Sequence, residues 1–178
     1  MTPFDDAVQT ARANAEEWIV ACTIATEVPP SPVQSSGSKE MFTAAMILVA
    51  QQAVAEVIAN RLANPAFPKT AAGVVLQPKQ FSGTLRGLSV TKGKDYWVDA
   101  ITGNWFPQHV AECLQAWRRV QEMIRTGHDG RVVPGALYYY SPVTMSPPFR
   151  VPDWVSAPTP KQSIPCERIS ADYFRFYR

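Results

Sequence analysis

The sequence predicts a mainly α protein, one domain over residues 1–178, with a central buried helix and short extended segments near the C-terminus. Three observations carry that expectation. Apolar residues recur at three- and four-residue steps along three long stretches, the period of an amphipathic helix. The opening of the second stretch is apolar on every side, as suits a helix enclosed by others. Past residue 126 the helical period is lost, and tyrosine- and proline-rich segments follow. With 178 residues, 46% hydrophobic and 18% charged, the chain can bury a substantial core.

The elements follow in order. Thr2-Pro3-Phe4-Asp5 reads as a helix start: a threonine cap, proline at the first helical position and an acid in the first turn. Phe4, Val8, Ala11, Ala15, Trp18, Ile19 and Cys22 then keep the helical step, and Val28-Pro29-Pro30 stops the helix after Glu27. Residues 28–39 are rich in proline, serine and glycine and read as a surface loop. A second helix is expected over 40–63, apolar all round from 41 to 50, and Asn64-Pro65 ends it. Residues 68–102 read as loop. A third helix over 107–126 carries the stripe Val110, Cys113, Leu114, Trp117, Val120 and Ile124, with Gly127 as its stop. Tyr138-Tyr139-Tyr140 reads as an extended segment, with Tyr138 and Tyr140 on one face and Tyr139 on the other.

Several function classes are disfavoured. A net charge of +2 gives no strong field for nucleic acid, and no nucleic-acid partner is expected. Residues 42–59 approach a membrane span in hydropathy, but they contain Thr43, Gln51, Gln52 and Glu56 and lack interfacial belts, so a core helix is expected and no membrane span. The acidic N-terminus lacks a basic region and an apolar run, so no export signal is expected. His109 and His128 have no partner at metal-ligand spacing and read as surface or helix-end side chains. With three cysteines widely spaced, neither a metal nor another cofactor is expected.

One acid stands out. Glu27 closes an amphipathic helix, where the negative end of the macrodipole disfavours an ionised carboxyl, and Ile24, Ala25, Val28 and Pro29 offer it little polar solvation. That is a setting for a general acid. Glu40 is the rival, placed by the sequence at a helix start, where the dipole favours the charged form instead.

Taken in order, several segments resemble the SleB-type cell wall hydrolases. These are Ala21-Cys-Thr-Ile-Ala-Thr-Glu27, Gln51 through Arg61, Asn64-Pro-Ala-Phe-Pro68, Gly73 through Ser82, Gly135-Ala-Leu-Tyr-Tyr-Tyr-Ser-Pro142 and Phe174-Arg-Phe-Tyr177. The resemblance implies a lysozyme-like fold and peptidoglycan glycan strands as substrate, cleaved between N-acetylmuramic acid and N-acetylglucosamine. It implies Glu27 as the catalytic acid of a lytic transglycosylase, one carboxylate sufficing because the muramoyl 6-hydroxyl is an internal nucleophile. A two-carboxylate hydrolase needs a second acid within about 5–10 Å, and no other acid here fits a comparable motif. Gln80 and Ser82 match the family's Gln-Phe-Ser and are equipped to bind N-acetyl groups or sugar hydroxyls, with Phe81 in the core. Tyr138, Tyr139 and Tyr140 match its tyrosine run and offer stacking faces and a phenol beside the glutamate. Which of them faces the groove stays open, as does whether Trp97 and Trp105 line it or anchor the core.

The chain departs from the family in two places. Val28-Pro29-Pro30 and about a dozen further residues replace a short linker after the glutamate, and Phe174 stands where the family has a histidine. The alternative expectation is therefore a non-catalytic structural or glycan-binding component of a phage-like particle. Without an export signal, the expected route to the wall is cytoplasmic synthesis followed by holin-type release, or delivery within a virion among phage-like particle proteins.

Overall fold

Three helices frame the structure, a computed structural model that describes residues 16–36, 38–77, 80–81, 90–91, 94–144, 152–156 and 161–178. They are α1 (Glu16–Glu27), α2 (Ala44–Ala63) and α5 (Pro107–Thr126). Between the last two lie the short helices α3 (Ala71–Val75) and α4 (Tyr96–Ile101) and a two-residue pairing of β1 (Val90–Thr91) with β2 (Lys94–Asp95). A small antiparallel sheet follows, ordered β3 (Tyr138–Tyr140), β5 (Arg175–Tyr177), β4 (Ser163–Ile164), with one turn of helix α6 (Asp153–Ser156) in the connection. The mainly α architecture with short C-terminal strands is the one the sequence predicts.

Helix α1 buries every residue from Ile19 to Ala25 and packs chiefly on α5, then on α4 and α3. It ends at Glu27, as its prolines dictate. The first turns expected for it, residues 2–15, lie outside the described residues. Helix α5 runs over the predicted span with Pro107 at its first position, and Gly127 closes it in the left-handed conformation, φ 68°.

Helix α2 begins four residues later than expected. Thr43 caps it by accepting from the Met46 amide, while Phe42 instead bridges to Val33. Its enclosed part is also shifted along the chain. Met41 and Leu48 are exposed, and burial is continuous from Ala53 to Ala59. Alanines at 53, 55 and 59 let neighbouring elements approach closely on several sides. The helix is long and apolar enough to cross a membrane by length and composition, and most of it is buried among its neighbours.

Residues 68–102, expected as loop, contain α3 and α4. Thr70 caps α3 through the Gly73 amide, and a Cβ at Gly73 would lie 2.8 Å from both Pro68 Cβ and Thr70 Oγ1. Glycine, a poor helix former, is required there by close approach.

Cys22 and Cys113 are fully buried free thiols. Burial pushes Cys22 up to about 12 and Cys113 higher still, with Glu112 and Cys22 adding to the latter. Unfolded, both would ionise near about 8.5. Their contribution is therefore intact below that pH and is lost as pH rises towards the folded values, by about 2 kcal/mol per thiol at pH 10. The thermal midpoint should fall between pH 8.5 and 10.5, and a Cys22→Ala/Cys113→Ala protein should show a flatter profile. Equal slopes for the two proteins would refute the assignment.

Candidate active site

The C-terminal end of α1 opens into a cleft of about 440 Å³. Thr26 and Glu27 form part of its lining, and Glu27 is the only acid among the described residues that line it. The lining also includes Trp105 and Phe106, stacked edge-on at 5.1 Å. Phe106 is held in the left-handed conformation (φ 39°) at the start of α5 and is largely exposed. A non-glycine residue in that region is strained, and such strain concentrates at functional sites.

The segment after Glu27 builds another wall. Pro29, Pro30, Val33, Ser35 and Phe42 all line the cleft. The C-terminal residues pin this segment in place. Phe42 stacks on Tyr173 at 4.7 Å; the Tyr173 hydroxyl donates to the Glu40 carbonyl (2.6 Å) and accepts from the Ser35 amide (3.3 Å); Ser38 donates to Asp172 (3.1 Å). Pro29, Pro30, Val33, Ser35 and Phe42, in the stretch between Glu27 and α2, are thus held as part of the groove. Glu40 contributes its backbone carbonyl, while the residue is exposed and absent from the cleft lining, four positions before α2 starts.

Alternation along β3 separates the tyrosines as predicted. Tyr138 and Tyr140 share the face of Trp154, at 5.5 and 6.1 Å. Tyr139 points the other way, among Phe81, Phe174 and Phe176, and its hydroxyl donates to Glu27 Oε2 at 2.8 Å. Burial, then the Glu27 charge and hydrogen bond, hold the Tyr139 phenol well above its ordinary range, against the opposing pull of Arg61. The phenol therefore stays protonated and remains a donor. Phe174, in place of the family histidine, lines the cleft and packs on Phe176.

Of the other candidates, Gln80 is half-buried and lies outside the cleft lining, its amide 3.4 Å from the Gln77 carbonyl. Ser82 lies outside the described residues. Trp97 anchors the core and donates to Thr23, whereas Trp105 belongs to the cleft. Among the described residues no three His, Cys, Asp or Glu side chains converge as a metal site.

Two neighbours of the site are not evident from the sequence. Arg61, buried in α2, donates to the Leu137 carbonyl at 2.6 Å and lies over the rings of Phe67, Phe81 and Tyr138. Burial lowers its guanidinium from the ordinary value, and Tyr139, Tyr138 and Glu27 oppose that shift. It remains a cation next to the Glu27–Tyr139 pair. His109, expected at a surface or helix end, is buried beneath the end of α1, where two backbone carbonyls accept a hydrogen bond from its ring N–H. Its signal is a position in the first turn of an amphipathic helix, which a single chain does not separate from an ordinary exposed histidine.

The sequence profile of the cell wall hydrolase family matches residues 48–174, and the chain belongs to that family. The matched span includes Arg61, His109 and β3 and begins after Glu27. The structure is similar to the catalytic domain of the germination-specific lytic transglycosylase SleB from Bacillus anthracis, at 19% identity over 93% of this chain and 97% of that one, with a TM-score of 0.47. It is also similar to the catalytic domain of the Bacillus cereus SleB protein, at 19% identity over 92% and 89%, with a TM-score of 0.46. No curated protein matches the chain.

Proposed function

We propose that this cell wall hydrolase acts as a lytic transglycosylase on the bond between N-acetylmuramic acid and N-acetylglucosamine, with Glu27 as its single acid and base. The observation that carries the proposal is the Glu27 carboxyl, the one acid among the described residues that line the cleft, with a protonated Tyr139 phenol donating to it. In its acid form Glu27 gives its proton to the bridging oxygen as the C1–O bond breaks, and the N-acetylglucosamine side leaves with a free hydroxyl. The muramoyl 6-hydroxyl then bonds to C1, and the Glu27 carboxylate takes the hydroxyl proton, which restores the acid form. No second carboxylate is needed, because the nucleophile is held in the substrate. Tyr139 steadies the carboxyl in both charge states, and the apolar walls of Trp105 and Phe106 suit the hydrophobic faces of sugar rings.

Mass spectrometry of peptidoglycan incubated with the purified protein tests the proposal. Products ending in 1,6-anhydro-muramoyl groups are expected; reducing ends would instead indicate hydrolysis by water. Phe174 in place of the family histidine supports a second reading, a glycan-binding component of a phage-like particle. Binding to peptidoglycan without any cleavage would favour it.

A further inference from the structure

Helix α1 ends against two prolines, and that leaves its last turn short of donors. In an α-helix the carbonyl of residue i accepts from the N–H of residue i+4. For Ala25 that residue is Pro29, which has no N–H. The Ala25 carbonyl instead lies 3.2 Å from Nε2 of His109, and the Val28 carbonyl lies 2.9 Å from the same nitrogen. Carbonyls only accept, so Nε2 carries the proton. The side-chain amide of Gln51 approaches the other ring nitrogen, Nδ1, at 3.4 Å, where its N–H can donate to the unprotonated nitrogen of that tautomer. The ring is 3% exposed and stands edge-on to Trp105 of the cleft.

We infer that His109 is a positioning residue for Glu27. Its Nε2–H replaces the amide that Pro29 lacks and spans the carbonyls on either side of Thr26 and Glu27, which fixes the backbone from which the acid reaches the cleft. The inference rests on the proposal that Glu27 is the catalytic acid. A displacement of about 1 Å at a reacting group can lower the rate about 100-fold, so loss of this donor should appear in turnover and not in substrate binding.

The test compares kcat and KM on peptidoglycan for His109→Phe, which fills the ring volume without a donor, and His109→Gln, whose amide N–H reaches the position of Nε2. His109→Phe should lower kcat about 10- to 100-fold with KM within about two-fold. His109→Gln should recover most of that loss. His109→Asn, too short to reach both carbonyls, should behave as the Phe variant and replaces it if the latter fails to fold. Val120→Ala, a buried change further along α5, controls for lost stability and should leave kcat unchanged well below its midpoint. A His109→Phe protein with parental kcat overturns the inference, as does a loss that His109→Gln fails to restore. If Glu27→Gln proves fully active, the proposal beneath it has failed instead.

Discussion

Glu27→Gln is expected to lower the turnover of peptidoglycan by about 10²- to 10⁴-fold, the usual share of a general acid. The amide is nearly the same shape as the carboxyl, and its oxygen still accepts from the Tyr139 phenol, so the contact that orients the side chain survives. What disappears is the proton for the leaving oxygen and the base that recovers one from the muramoyl hydroxyl. The loss should therefore fall on kcat, with binding of glycan fragments and the thermal midpoint close to those of the parent. Kinetics on purified cell walls, with mass spectrometry of the products, measure both halves of that expectation. A variant that retained a tenth or more of parental activity would remove Glu27 from the mechanism and return attention to groups outside the described residues.

How the acid comes to lie in the cleft was partly legible in the sequence. The helical period and the two prolines set where α1 stops, and strand alternation set which tyrosine parts from its neighbours. Both are local rules. Residues 68–102 were less legible because α3 and α4 have five and six residues, too few for a helical period to show. The wall built from residues 29–42 was not legible either. Proline and serine mark a loop, but the bonds that hold Ser35 and Ser38 come from Tyr173 and Asp172, 138 and 134 positions away in the chain. Buried polar side chains on α2 were equally hidden. Within the sequence Gln51 and Glu56 do no more than lower the hydropathy of an apolar stretch. In the structure Gln51 reaches Nδ1 of His109, and Arg61 holds the carbonyl that precedes β3. Their meaning lies in partners 58 and 76 residues distant, beyond the reach of any period.

Glu56 is the third of these, and replacing it should have the largest effect on stability. Its side chain is fully buried and accepts from the amides of Val132 (2.8 and 3.1 Å) and Val133 (2.8 Å) and from the side chain of Gln52 (2.9 Å). These bonds tie Val132 and Val133 to α2, and the chain continues from there into β3 and Tyr139. Glu56→Leu keeps the approximate volume but leaves two backbone donors unanswered, each costing about 1–3 kcal/mol once buried. A total near about 4 kcal/mol is a large part of the 5–15 kcal/mol that holds a typical domain together. For a chain of this size it corresponds to a fall in the thermal midpoint of about 10–15 °C. Glu56→Gln, which keeps one acceptor oxygen, should lose about half as much. Denaturant titrations of the three proteins would decide the matter. If Glu56→Leu lay within 1 kcal/mol of the parent, the amides of Val132 and Val133 would have to find water on unfolding no more readily than in the folded state. The anchoring role of Glu56 would then be refuted. If the large loss is found, the strand that carries Tyr139 to Glu27 is held by a buried carboxyl on α2, and Glu56→Leu should lower turnover as well as stability.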